Sequence, residues 1–290
     1  MKLVTFRRNG IQQTGVLNED ASAVTAAPAG QDLLSLIDNW DSAADQLTAL
    51  NGEAIPVADI ELLAPIPLPR RNIFCVGRNY VEHAKEFANS GYDATASATA
   101  QPDYPVVFTK APSTVIGTGA EVDPHTGVTS ELDYEAELGV IIGTGGRGIS
   151  QAAALDHVWG YTIINDVTAR DLQKNHKQWF LGKSLDTHCP MGPWAVTRDE
   201  FGDGPLDLHC TVNGETRQKA TTADLIFDIP TIIETISAGI TLQPGDIIAT
   251  GTPVGVGIGF TPPRFLTSGD VVEISISKLG TLRNRIGEGR

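Results

Sequence analysis

Leu132-Asp-Tyr-Glu-Ala-Glu-Leu-Gly-Val-Ile-Ile-Gly143 is the stretch on which the reading of this chain turns. In an extended segment alternate side chains share a face, so Asp133, Glu135 and Glu137 project to one side while Tyr134, Ala136, Leu138 and Val140 pack behind them. No Lys or Arg occurs between Lys110 and Arg147, so no neighbour in sequence neutralises these acids. Carboxylates held this close raise one another's pKa unless a cation sits between them. Clustered oxygen ligands suit a hard divalent ion such as magnesium or manganese. The same local pattern also fits a half-buried strand with a solvated acidic face.

Composition narrows the chemistry. At 290 residues and 41% hydrophobic content, the chain can fill a large core as one domain, or as a catalytic domain with a small appendage. A net charge of -14 opposes a broad phosphate-binding surface, so a small-molecule partner is expected and no nucleic acid. The N-terminal residues lack an apolar signal core, and no uninterrupted apolar run is long enough to span a bilayer, so no membrane partner is expected either. Cys75, Cys189 and Cys210 are odd in number and widely spaced, as free thiols in a reducing cytoplasm would be.

Outward from the acids the chain divides near residue 66. Residues 1–66 read as a small β-rich domain: Leu3–Phe6 and Gln13–Leu17 flank the hairpin dipeptide Asn9-Gly10, and a short helix follows at Asp32–Ile37. The proline-punctuated stretch Leu63–Arg71 is irregular, and 67–290 reads as the catalytic domain. There Asn72–Gly77 is a buried strand, and Asn79 caps a helix to about Ala88 with Tyr80, Ala84 and Phe87 on its apolar side. His83 and Glu86 lie one turn apart on the neighbouring face, as a water-activating dyad or as an ordinary surface contact. Residues 89–104 are small, polar and aperiodic, which predicts a mobile loop. Further strands are expected at 105–109 and 161–165. Helices are expected from about Gln151 after a Ser150 cap, and from Asp228 to Gly239.

Three more segments carry chemistry. Gly143-Thr-Gly-Gly-Arg-Gly148 fits a dinucleotide fingerprint, with Asp166 downstream. The preceding strand, however, carries three acids on one face, where a first nucleotide-binding strand is apolar on both, so the glycines read as turn residues. Asp166 ends an apolar strand, either as a plain helix cap or as a third carboxylate ligand, and a helix starting there places Arg170 and Gln173 beside it. Lys183 is a cation to aim at a substrate carboxylate or a developing enolate, unless it is solvated like most lysines. Ala249–Gly259 is a glycine-rich loop whose backbone N–H groups and Thr252 can approach an anionic ligand, or form a tight turn.

Gly77-Arg-Asn-Tyr-Val-Glu-His83, Tyr134–Gly139, Asn165–Gln173, Gly182-Lys-Ser184, Gly245–Pro253 and Gly280–Asn284 together resemble, in order, the fumarylacetoacetate hydrolase family. The resemblance implies an α+β, β-rich fold: a mixed β-sandwich roll of that family's C-terminal type, with the small N-terminal domain attached. It implies a Mg2+ or Mn2+ ion on Glu135, Glu137 and Asp166, and a His83–Glu86 dyad on a lid helix. Lys183 would complete the catalytic set, with Arg78, Tyr80, Gln173 and Thr252 contacting substrate, and a homodimer is implied. The expected activity is metal-dependent hydrolysis of a carbon–carbon bond in a small 2,4-dioxo acid, in the breakdown of aromatic or related compounds. Decarboxylation of oxaloacetate and isomerisation of an unsaturated dioic acid are the alternatives on the same fold. A nicotinamide oxidoreductase and a non-catalytic protein with an empty site stand outside it.

Overall fold

Every residue of the strand Ala136–Ile142 is buried, and this strand lies in the middle of the molecule. In the computed structural model, which describes residues 1–92, 101–202 and 204–289, it pairs antiparallel with Val158–Asn165 on one side and Ile247–Ala249 on the other. Beyond Ile247–Ala249 the sheet continues through Ile73–Gly77 to Val106–Lys110. Beyond Val158–Asn165 it runs through Cys189–Thr197 to Lys2–Arg8, Ile11–Leu17, Ala23–Ala26 and Ala54–Pro56. The N-terminal strands thus extend the central sheet, through the pairing of Lys2 with Val196 and Leu3 with Ala195.

A second sheet of five strands, Glu215–Thr221, Asp207–Val212, Val271–Ile276, Gly280–Ile286 and Glu121–Val122, packs on one face of the first. Leu138, Val140 and Ile163 meet Leu208, Ile274 and Leu282 between the two layers. Ile141 and Ile164 face the other way and pack with Ile73, Cys75, Met191 and the helix residues Leu33 and Leu36. The unbroken apolar run after Glu137 therefore reflects burial on both faces. The architecture is the β-rich α+β sandwich that the sequence motifs imply.

Local rules account for several elements. Asn9 and Gly10 adopt positive φ of 53° and 79°, the hairpin-turn geometry this pair favours. Asp32 forms a capping box with Ser35 before Leu33–Asp38, and Asp228 accepts the Thr231 N–H before Ile229–Ser237. Cys75, Cys189 and Cys210 are free and buried. Among the described residues no helix is long and apolar enough to cross a membrane. The strand before Gly143–Gly148 is antiparallel to both neighbours, and a helix of only four residues, Gln151–Ala154, follows it, so no nucleotide-binding crossover exists there.

Four local expectations are corrected. The acidic segment is interrupted: Leu132–Asp133 pairs with Thr168–Ala169, and a new strand begins only at Ala136. The helix after Asp166 starts at Arg170, not at Asp166. Ser150 makes no side-chain cap bond. Asn79 does not cap the Val81–Asn89 helix either; its amide accepts the Phe227 N–H (2.7 Å) and donates to Phe227 O (2.9 Å) and Thr250 O (2.8 Å). Of the loop expected at 89–104, residues 93–100 lie outside the described residues.

Asn79 is fully buried and ties three chain segments together. Asn79→Ala leaves these backbone groups unpaired, at roughly 1–3 kcal/mol for each one left unsatisfied. Urea unfolding should show a loss of at least that size, and an unchanged midpoint would contradict the bracing role.

Candidate active site

The antiparallel pairing of Ala136 with Asn165 sets the two ends of the acidic cluster side by side. Asn165 Oδ1 accepts the Glu135 N–H at 3.0 Å, and Glu135 O accepts the Asp166 N–H at 2.9 Å. Glu137 follows two residues along, inside the strand that begins at Ala136. Carboxylate oxygens of Glu135, Glu137 and Asp166 all lie within 4.8 Å of one another, and all three residues are buried. Asp133 does not join them, because the break at Tyr134 turns it away. Its oxygens accept the N–H groups of Gly257 (2.6 Å) and Ile258 (3.2 Å) and pair with Arg170 Nε at 2.9 Å.

Cations absent from the neighbouring sequence arrive through the fold. Lys183 Nζ bridges Glu135 (2.8 Å) and Asp166 (2.7 Å). Lys110 Nζ, with no exposure at all, lies 2.7 Å from the other oxygen of Asp166 and donates to Val167 O (3.1 Å) and to Lys183 O. Arg170 Nη1 lies 2.7 Å from Glu135 while its Nε holds Asp133. Burial pushes the Glu135 carboxyl up, but Lys183 and Arg170 outweigh it and hold the group at about 2. Burial pushes Lys183 down, and Asp166 and Glu135 more than restore it.

Glu137 is the exception. Its recorded partner is the Gly251 N–H at 2.7 Å, and among the described residues it forms no ion pair with a cationic side chain. Burial, then Asp166 and Glu135, push its carboxyl well above the usual range. A cation beside Glu137 is what would relieve this, and an all-oxygen donor set suits a hard divalent ion. With Glu137 ionised, Asp133, Glu135, Glu137 and Asp166 would exceed Lys110, Arg170 and Lys183 by one negative charge. A divalent ion would make the site net positive by one, ready for a substrate carboxylate. The residues present therefore fit the metal.

His83 and Glu86 stand over this floor on the Val81–Asn89 helix, Nδ1 to Oε2 at 3.0 Å. The second oxygen of Glu86 accepts the Gly255 N–H at 3.0 Å, which fastens the helix to the glycine-rich loop. A Cβ at Gly259 would overlap the Glu86 carboxylate, so a larger residue there would displace Glu86. The loop's N–H groups at Gly251, Gly255 and Gly257 thus serve the protein's own carboxylates, which corrects the expectation that they approach a ligand. Between helix and floor lies a cavity of about 20 Å³, room for a single water or ion. His83, Glu135, Glu137 and Lys183 line it, as do Arg78, Gln173 and Thr252. Tyr80 does not; it is buried to one side, its hydroxyl without a hydrogen-bond partner among the described residues. Gln218 positions Thr252, donating to its Oγ1 at 2.8 Å.

The family model described as fumarylacetoacetate (FAA) hydrolase C-terminal matches residues 72–287. The chain belongs to this family. It is 55% identical over 232 residues to an oxaloacetate tautomerase of Bacillus subtilis, a match covering 80% of this chain and 74% of that protein. The solved structure of fumarylacetoacetate hydrolase from Exiguobacterium antarcticum is similar over the full length of both chains, with a TM-score of 0.85 at 42% identity. Maleylpyruvate hydrolase from a Sphingobium species, solved with manganese(II) and pyruvate, gives 0.79 at 30%, again over both full lengths.

Sequence reasoning did not find Lys110, the Asp133–Arg170 pair, or the aromatic residues Phe108 and Trp179 that also line the cavity. No local pattern marks a lysine that pairs with an acid 56 positions away. Removing one partner of a buried ion pair costs roughly 3–5 kcal/mol. Lys110→Met in this fumarylacetoacetate hydrolase family member should therefore lose stability on that scale in denaturant unfolding. A loss below about 1 kcal/mol, the scale of an exposed ion pair, would show that the pair is not needed.

Proposed function

We propose that this protein is a divalent-metal-dependent enzyme that moves the C3 proton of a small 2-oxo acid carrying a second carbonyl or carboxyl group, interconverting its keto and enol forms. Oxaloacetate is the prototype substrate. The observation that carries this reading is one small cavity with the His83–Glu86 pair on its roof and, on its floor, a buried acid triad whose oxygens lie close enough together to hold a cation. The 55% identity to an oxaloacetate tautomerase supports the choice of reaction.

The metal, Mg2+ or Mn2+ on Glu135, Glu137 and Asp166, would polarise the 2-oxo carbonyl and grip the adjoining carboxylate. The protein's own groups do the rest. Glu86 holds His83 through Nδ1, which leaves Nε2 to exchange the proton. As the C3–H bond breaks, its electron pair forms the C2–C3 double bond and the carbonyl pair moves onto O2. Lys183 stabilises the charge gathering there, and a proton delivered to O2 completes the enol. Gln173 and Thr252 orient the acid. Arg78, buried and held at φ +54°, faces the second carboxyl group; Tyr80 is left without a substrate role.

Hydrolytic cleavage of a 2,4-dioxo acid is the second reading, favoured by the likeness to maleylpyruvate hydrolase. There the same dyad would deprotonate a water that attacks the distal carbonyl. Residues 67–290 would form the catalytic part, with 1–66 as an N-terminal domain, and the chain would act as a homodimer in the cytoplasm.

Exchange of the C3 hydrogens of oxaloacetate in deuterated solvent, set beside acylpyruvate cleavage, separates the two readings. We expect manganese-loaded protein to catalyse exchange much faster than cleavage, and His83→Ala to slow exchange by roughly a hundredfold or more with metal affinity kept. Cleavage without catalysed exchange would favour hydrolysis. Equal exchange by His83→Ala would remove the dyad from the mechanism.

A further inference from the structure

Besides the charged floor, three aromatic rings line the cavity. Phe87 from the Val81–Asn89 helix, Phe108 from the Val106–Lys110 strand and Trp179 from the turn before Phe180–Lys183 all line it. Trp179 is at the centre of the three. Its ring centroid lies 5.8 Å from that of Phe87 and 5.2 Å from that of Phe108, edge-on in both cases. Its far edge rests on the backbone at Gly77, where a Cβ would overlap an indole carbon. Phe108 is fixed in turn, with Lys183 Nζ 5.1 Å from its ring centroid.

These supports differ in kind. Gly77 and Phe108 belong to paired strands of the central sheet, with Gly77 opposite Val106 and Cys75 opposite Phe108. Phe87 rides on the helix that carries the dyad, which is held to the glycine-rich loop by the Glu86–Gly255 bond and by packing of Phe87 on Val256 and Ile258. The space left is about 20 Å³, so a substrate needs part of this lining to give way. Phe87 can give way with its helix, whereas the indole is backed by Gly77 and Phe108 of the sheet.

We propose that Trp179 sets the length of acid the site accepts. It is a fixed wall beyond C3 that admits a four-carbon 2-oxo dioic acid and refuses a longer apolar tail. The choice of substrates rests on the enol chemistry proposed above; the wall itself does not.

The test compares wild type, Trp179→Phe and Trp179→Ala with oxaloacetate and with an acylpyruvate bearing a pentyl tail. The readout is the ratio of kcat/KM for the longer acid to that for the shorter. We expect Trp179→Ala to raise this ratio roughly tenfold or more, the usual worth of pocket space for added methylenes, with Trp179→Phe in between. Pyruvate affinity of the manganese-loaded variants should be unchanged, which shows that floor and fold survive. An unchanged ratio in a folded Trp179→Ala overturns the proposal. If wild type acts on neither acid the enol reading falls, and the wall is judged by calorimetry with pyruvate and 2-oxooctanoate. A gain specific to the longer acid in Trp179→Ala supports it, and equal shifts for both overturn it.

Discussion

Three carboxylates and three cationic side chains are buried together in one network of ion pairs, with Glu137 beside it. An isolated charge in such a place would give up its ionisation or break the fold. Here Lys110 and Lys183 share Asp166, Lys183 also holds Glu135, and Arg170 links Glu135 to Asp133. The network also joins segments far apart in sequence. Through Asp133 it reaches the Gly257 and Ile258 N–H groups, and through Glu137 it reaches Gly251. The glycine-rich loop is thus held by acids on both sides, and it receives the dyad helix through Gly255 and Glu86.

This arrangement explains how one site can separate its tasks. The floor is built from Glu137 on a strand buried on both faces, with Glu135 and Asp166 just beyond the ends of paired strands, cross-linked by Lys110, Lys183 and Arg170. The dyad stands on a nine-residue helix held to the loop by the Glu86–Gly255 bond and by packing of Phe87 on Val256 and Ile258. The proposed chemistry would use this division, with the helix carrying the proton-transfer dyad and the floor carrying the charge.

Much of the fold and of the site was legible in the sequence because several signals agreed. Asn9-Gly10, the Asp32 and Asp228 caps and the alternation of Glu135 with Glu137 act over a few residues, and tertiary packing left them intact. The failures share one cause, which is that a local rule was overruled from a distance. Asp133 was placed with its neighbours by a period that holds only in an unbroken strand, and pairing with Thr168 breaks it. Asn79 looked like a helix cap, but Phe227 and Thr250 offered more hydrogen bonds. The absence of a nearby basic residue suggested acids without partners, whereas Lys110, Arg170 and Lys183 reach them through the fold. Only Glu137 keeps the character expected of the whole cluster.

That residue gives the central claim its most direct test: calorimetric titration of metal-stripped protein with Mn2+, beside the same titration of Glu137→Gln. If Glu137 is the unneutralised acid that a divalent ion completes, wild type should bind one ion per chain, and Glu137→Gln should bind it far more weakly. Absence of stoichiometric binding to wild type, or equal affinity in the two proteins, would contradict the account.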